Sequence, residues 1–75
     1  MFHYLPVESR SYSPYIGHYR SFGLRVLHVS GGAEEEVMLL PDVSTDFRFV
    51  LRLAGILTKK QLDPIHLLDV IEDSI

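Results

Sequence analysis

The stretch HYRSFGLRVLHVSGGAEEEVMLLPDV, residues 18–43, decides the fold of this chain. Apolar residues recur with period two in its first half and again in EVMLL, which is the pattern of two β-strands. The glycine pair at 31–32 can take positive φ, so it predicts the turn of an antiparallel hairpin over residues 21–41. Gly23 interrupts the first strand and predicts a bulge or a close backbone approach.

Residues 1–20 precede the hairpin and form a predicted strand and loop segment. Phe2–Val7 can form a short strand, in which Pro6 is restricted to an edge or an end because it cannot donate a ladder hydrogen bond. The serines, Pro14 and Gly17 of SRSYSPYIG then predict a turn or loop.

Residues 44–75 carry two helical patterns. For the first helix, Ser44 or Thr45 is the predicted N-cap, with Asp46 in the first turn, and the helix ends near the lysines at 59–60. Its predicted apolar face consists of Phe49, Val50, Leu53, Ile56 and Leu57, with Ala54 at the edge and a basic stripe of Arg48, Arg52 and Lys59 on the other side.

The second helix begins with a predicted N-cap, Asp63, followed by Pro64 at the first helical position. Its apolar face is predicted to hold Leu67, Leu68, Val70, Ile71 and Ile75. Strands followed by helices indicate an α+β fold. We therefore expect a single small domain over residues 1–75, with an antiparallel sheet of two to three strands and a C-terminal helical hairpin packed on one face.

Composition restricts the function classes. The chain has 75 residues and no cysteine, which excludes disulfides and thiolate zinc sites. Its net charge of −3 argues against DNA and against anionic membranes, because both require a basic surface. No apolar run approaches the roughly 20 residues of a membrane span, and MFHYLPVESR lacks the features of a signal peptide. We expect a cytoplasmic protein.

The helix QLDPIHLLDVIEDSI places one histidine among acids. On a helical wheel His66, Asp69 and Asp73 form one stripe, which is chemically able to hold a divalent cation. The stripe lies almost opposite the apolar face, so a solvated helix surface is the favoured interpretation, and a partner-binding surface is the other. We predict no cofactor and retain these three residues as a weak metal candidate.

Neither catalysis nor DNA recognition has support in the motifs. Serines, histidines and aspartates are present, but no nucleophile elbow accompanies them, and SGG at 30–32 lacks the Gly-Lys of a phosphate loop. The second helix would have to contact DNA with acids alone. We therefore predict that the protein is not an enzyme and does not bind DNA.

Three motifs resemble a family of small uncharacterised bacterial proteins, found chiefly in clostridia and their relatives. The first is an aromatic-glycine strand with Tyr19, Phe22, Gly23 and Leu24, and the second is a helix start with Asp42, Val43, Ser44 and Asp46. The third, the C-terminal helix, is the most specific: it matches at Leu62, Pro64, His66, Leu67, Asp69, Val70, Ile71, Glu72 and Asp73. The similarity covers residues 19–75, departs at Ser74-Ile75 and implies no particular activity.

The first predicted function is a protein-interaction module that forms a homodimer or small homo-oligomer, because the first helix has a wide apolar arc that we do not expect one small sheet and one short helix to cover. The predicted interaction residues are Tyr15, Tyr19, Phe22, Arg48, Arg52, His66, Asp69 and Asp73. The alternative is a ligand- or metal-responsive regulator that uses the stripe of His66, Asp69 and Asp73.

Overall fold

The structure is a computed structural model that describes residues 1–74, with Ser74 described by its backbone alone. Three antiparallel strands form one sheet in the order β1-β2-β3, and two helices follow. The elements are β1 (Phe2–Ser13), β2 (Gly17–Ser30), β3 (Ala33–Ser44), α1 (Phe47–Lys60) and α2 (Leu67–Ser74). The predicted α+β class and the order of strands before helices are confirmed.

β1 is longer than the sequence predicted. The serines and tyrosine of SRSYS, predicted as loop, continue the strand to Ser13, because each residue from Phe2 onward has a partner on β2. The turn is reduced to residues 14–16, and Gly17 after it has a φ of 78°. The second turn contains Gly31 and Gly32 with φ of 57° and 81°, as predicted for the hairpin.

β3 forms a bulge opposite Gly23. Phe22 pairs with Ser44 while Leu24 pairs with Leu40, so residues 41–43 of β3 stand opposite Gly23 alone. A Cβ on Gly23 would lie 2.6 Å from the carbonyl carbon of Pro41, which confirms the predicted close approach. The prediction that the strand ends at residue 41 is wrong, because β3 bends over β2 here and resumes pairing at Ser44.

The helices pack against one face of the sheet. Even-numbered strand residues such as Tyr4, Leu24 and Val26 point toward the helices and are buried with them. The core cluster comprises Tyr4, Leu24, Val26, Val50, Leu53, Ala54, Leu57, Leu67 and Ile71. Odd-numbered residues of β1 and β2 therefore form the opposite face of the sheet.

The start and the buried face of α1 differ from the prediction. Asp46 is the N-cap, since its carboxylate accepts from the amides of Arg48 and Phe49, and Ser44 instead accepts from the amide of Asp46. Ala54 is buried and Ile56 is exposed. The sheet is narrow and contacts the side of the helix nearer β1, so the buried face is rotated toward Ala54 and away from Ile56.

Side chains at the end of α1 cover the outer edge of β1. Thr58 Oγ1 accepts from the Tyr4 amide at 2.9 Å and donates to the Tyr4 carbonyl at 3.3 Å. Gln61, the C-cap with a φ of 52°, accepts from the Phe2 amide and donates to the Phe2 carbonyl. The helix thus supplies the hydrogen bonds that an additional strand would give to this edge.

The second helix is short, and the predicted helical hairpin is not confirmed. Asp63 caps and Pro64 comes first, as predicted, but they begin a 3-10 turn over Pro64–His66 that precedes the eight residues of α2. Leu67 and Ile71 are buried, whereas Leu68 is exposed. The predicted contribution of Ile75 lies outside the described residues.

Candidate interaction surfaces

The predicted interaction residues do not form one surface. Tyr15 lies at the tip of a two-stranded arm, residues 10–20, where its side chain is 94% exposed, and Tyr19 is half-buried on the same arm. Phe22 instead packs against the core, with its ring centroid 5.1 Å from that of Phe47. Arg48 and Arg52 are exposed on α1.

The basic stripe of α1 does not pair with the acids of α2. The two ion pairs found within residues 1–74 both lie on the sheet: Arg20 with Glu8 at 3.6 Å and Arg25 with Glu36 at 2.8 Å. Neither of these ion pairs joins the two helices.

His66, Asp69 and Asp73 are all exposed. His66 belongs to the 3-10 turn, so the wheel that aligned it with the two aspartates does not apply across the boundary at Leu67. Within residues 1–74, no three histidine or acidic side chains come together in a group that could hold a metal ion.

The face of the sheet opposite the helices is an apolar surface that the sequence analysis missed. Three apolar side chains on the edge strands are exposed there. Leu5 on β1 is 40% exposed, and on β3 Val37 is 45% and Leu39 is 50% exposed. Leu27 lies between them on the central strand and is 7% exposed. We call this surface the open face.

The open face also carries charged side chains: Arg25 and Glu36 lie beside the apolar residues, and Glu34 lies nearer the second turn, opposite Val29. Arg25 stands beside Leu39 in the register, and its Nε donates to Glu36 Oε1 at 2.8 Å.

Period-two alternation puts Arg25 and Leu27 on the face of β2 opposite Leu24 and Val26, but it does not indicate which face is the core. The sequence does not predict that Leu5 lies on the open face. Its position follows from the register, in which Leu5 pairs with Arg25.

The arm has two different faces. On one face Arg10 stands directly opposite Arg20, and next to this pair the rings of Tyr12 and His18 lie 5.1 Å apart. On the other face are Ser11, Ser13 and Tyr19. The third strand and the helices end before the arm, so residues 10–20 project as a two-stranded ribbon. We call the face with the two arginines the cationic face.

The buried polar side chains serve the fold. The Tyr4 hydroxyl donates to the Leu62 carbonyl at 2.6 Å, and burial, with a smaller contribution from the charge of Asp63, raises the pKa of Tyr4 to about 12. The Ser21 hydroxyl, fully buried, donates to the Asp42 carboxylate. Within residues 1–74, every buried side-chain nitrogen or oxygen has a hydrogen-bond partner.

These features define a small α+β domain in which a three-stranded sheet has helices on one face and an apolar surface on the other. The chain belongs to a family of unknown function (DUF6514), whose model matches residues 1–75. This confirms the expected membership of an uncharacterised family, while the bacterial origin and the three motifs stay predictions. No curated protein and no solved structure gives a significant match. Among residues 1–74, no helix has the length and apolar character needed to cross a membrane.

Proposed function

We propose that the protein is a non-catalytic interaction module of the cytoplasm that self-associates through the open face. The observation that carries the proposal is the exposure of Leu5, Val37 and Leu39 on a sheet face that no helix covers. Burying a leucine or valine side chain contributes about 1.5–3 kcal/mol when the burial is complete. These three are already half-buried, so each gains less, and we expect an association that depends on protein concentration.

A second copy of the chain fits this surface better than a charged partner does. The open face carries the ion pair of Arg25 and Glu36 beside its apolar residues, so a cation and an anion lie side by side in the proposed contact. A two-fold axis through such a patch brings the cation of each copy toward the anion of the other, which is the self-complementarity that a symmetric dimer requires. Apolar residues on both sides of the pair would be covered by the same contact.

The absence of catalysis is part of the proposal and has independent support. The buried polar groups have structural partners, such as Leu62 for the Tyr4 hydroxyl and Asp42 for the Ser21 hydroxyl. Catalytic sites are typically clefts in which several titratable groups with shifted pKa values come together. A hydroxyl that already holds the fold together is poorly placed to act on a substrate.

The test is size-exclusion chromatography with light scattering over a range of protein concentrations. We expect the measured mass to rise from 8.6 kDa toward twice that value. Leu39→Glu should keep the protein monomeric, because it places a carboxylate among the apolar side chains of the contact. Leu51→Glu on α1 is the matched control, since both leucines are 50% exposed, and it should leave the dimer intact.

Two outcomes would contradict this proposal. A wild-type protein that stays monomeric at every concentration removes self-association altogether. A dimer that survives Leu39→Glu but dissociates with Leu51→Glu would show that the interface is on α1. That result would agree with the sequence-based prediction, which rested on the wide apolar arc of this helix.

A further inference from the structure

The arm differs in charge from the rest of the molecule. Its sequence, RSYSPYIGHYR at residues 10–20, contains two of the seven Lys and Arg residues and none of the ten Asp and Glu residues. It also holds one of the four histidines and three of the four tyrosines. An acidic protein thus carries one projecting ribbon that is basic and aromatic.

The two arginines of the arm are an unfavourable pair within the isolated chain. Arg10 and Arg20 face each other across the strands, and like charges in this position repel. Glu8 approaches Arg20 at 3.6 Å, but both side chains of this pair are about half exposed or more. One carboxylate for two guanidinium groups leaves the cationic face with capacity for a further anion.

Aromatic side chains flank the arginine pair in both directions along the strands. Tyr12 and His18 lie beyond it toward the tip, and Phe22, which contacts Phe47, lies before it on the same face of β2. A guanidinium group between aromatic rings is suited to a ligand that alternates carboxylates with apolar groups.

The outer edge of β1 is open along the arm. Phe2 and Tyr4 direct their amides outward, where Gln61 and Thr58 accept from them. The same alternation directs the amides of Arg10 and Tyr12 outward. Within residues 1–74, no side chain or strand outside β2 bonds to these amides, and an edge of this kind can accept an extended peptide as an added strand.

We propose that the arm binds an extended acidic segment of a partner protein, which adds as a strand beside β1 and places its carboxylates on the cationic face. An extended strand directs every second side chain to the same side, so alternating acids lie on the cationic face, directly beside Arg10 and one strand further from Arg20. A peptide suits the arm better than a nucleic acid does, because the outer edge of β1 presents carbonyls as well as amides, as Phe2 and Tyr4 show. A peptide backbone has both a donor and an acceptor for such an edge, whereas a phosphate backbone has no N–H group to donate.

Fluorescence anisotropy tests the proposal with a fluorescein-labelled octapeptide of alternating valine and glutamate. We expect binding by the intact chain and a loss of at least about tenfold in affinity for the double variant Arg10→Ser, Arg20→Ser. The matched control, Arg48→Ser with Arg52→Ser, removes the same charge from α1 and should bind normally. A cooperative thermal unfolding transition in each variant would confirm that both of them fold.

Three further probes distinguish the mode of binding. The peptide with serine in place of glutamate should bind at least about tenfold more weakly, as should the acidic peptide with two valines replaced by proline, which cannot complete a strand. Equal binding of the proline peptide, or of a thymidine dodecamer, would show a general affinity for anions and overturn the proposal. So would equal losses in the two double-arginine variants, or no binding of the acidic peptide.

This inference is independent of self-association. Leu39→Glu changes the open face and leaves the arm unaltered, so it should abolish the dimer and retain peptide binding. If the dimer exists and the peptide does not bind, the arm proposal fails alone.

Discussion

Gly23 and Pro41 pack backbone against backbone, with no room for a side chain on Gly23. The contact allows residues 41–43 to cross over β2, where the Asp42 carboxylate accepts a hydrogen bond from the Ser21 hydroxyl. The chain then continues to Asp46, which caps the start of α1. The aromatic-glycine motif and the helix-start motif are thus two sides of one junction between sheet and helix.

Replacing Gly23 with alanine should strongly destabilise the protein. The added Cβ would lie 2.6 Å and 2.8 Å from the carbonyl carbon and oxygen of Pro41, both backbone atoms, so β3 would have to move. We expect a loss of about 1–3 kcal/mol or more in the free energy of unfolding, measured by urea denaturation. This is a large part of the roughly 4–11 kcal/mol expected for a chain of this length.

The matched control is the same substitution at Gly55. A Cβ there meets nothing within 4 Å, and the residue lies inside α1. Gly55→Ala should therefore stabilise the protein by about 1 kcal/mol, because alanine favours a helix. Equal effects at the two glycines would refute the close approach at the bulge.

Replacing Tyr4 with phenylalanine should remove the hydrogen bond that ties β1 to the segment after α1. The Tyr4 ring is buried and its hydroxyl donates to Leu62 at 2.6 Å, so the variant leaves that carbonyl without its partner. We expect a loss of about 1–3 kcal/mol at neutral pH, measured by urea denaturation. Tyr12→Phe, at an exposed position of the arm, should have little effect on stability.

The same substitution gives a signature in alkaline solution. Folding raises the pKa of Tyr4 from 10.0 to about 12, mainly through burial, so the folded state favours the protonated phenol. Its contribution is complete below pH 10 and declines as the pH rises through 12, by an amount on the order of 2–3 kcal/mol. The stability difference between the wild type and Tyr4→Phe should shrink over this range. A difference that stays constant would mean that the phenol is not protected in the folded state.

Much of the fold could be predicted from local chemistry. The glycine pair at 31–32, the restriction on Pro6 and the cap at Asp63 each follow from the backbone requirements of one residue, and the structure agrees with all three. Gly23 likewise predicted a close backbone approach, because only glycine leaves room for one. Such signals are independent of the partner strand, so one sequence is enough to recognise them.

The errors have a common cause in tertiary pairing. Residues 10–17 of the arm were predicted as turn or loop because serine, proline and glycine favour turns. The strand character of residues 10–13 comes from pairing with β2, such as Ser11 with Tyr19. The open face requires the register that brings Leu5, Leu27 and Leu39 to the same side of three strands. The choice between Thr45 and Asp46 as N-cap depends on a bend in β3 that no periodicity encodes.

Replacing Asp46 with alanine should show how much its N-cap contributes to the stability of the protein. Its carboxylate accepts from two amides in the first turn of α1, at 3.0 Å and 3.4 Å. We expect a loss of about 0.5–2 kcal/mol in stability, visible by circular dichroism during thermal unfolding. Thr45→Ala is the control, since Thr45 was a predicted cap and is exposed. If the control had the larger effect, Thr45 would be the cap in solution.

Replacing Arg10 with threonine should make the arm more stable. The substitution removes the like charge that faces Arg20 and adds a residue that favours β-strands. We expect a gain of about 0.2–1 kcal/mol, measured as slower hydrogen exchange at the amides of Ser11 and Tyr19, which lie on the arm. Global unfolding is less suitable, because a projecting ribbon can open while the core stays folded.

The part of the gain from Arg10→Thr that comes from charge repulsion should disappear in two controls that remove the repulsion by other means. In an Arg20→Thr background the first arginine has no opposing charge, so a double-mutant cycle should show coupling between the two positions. Raising NaCl from about 20 mM to about 500 mM should stabilise the wild-type arm more than the variant, because salt screens exposed charges. If Arg10→Thr slows exchange and also weakens binding of the acidic peptide, the arginine pair lowers the stability of the arm and serves recognition.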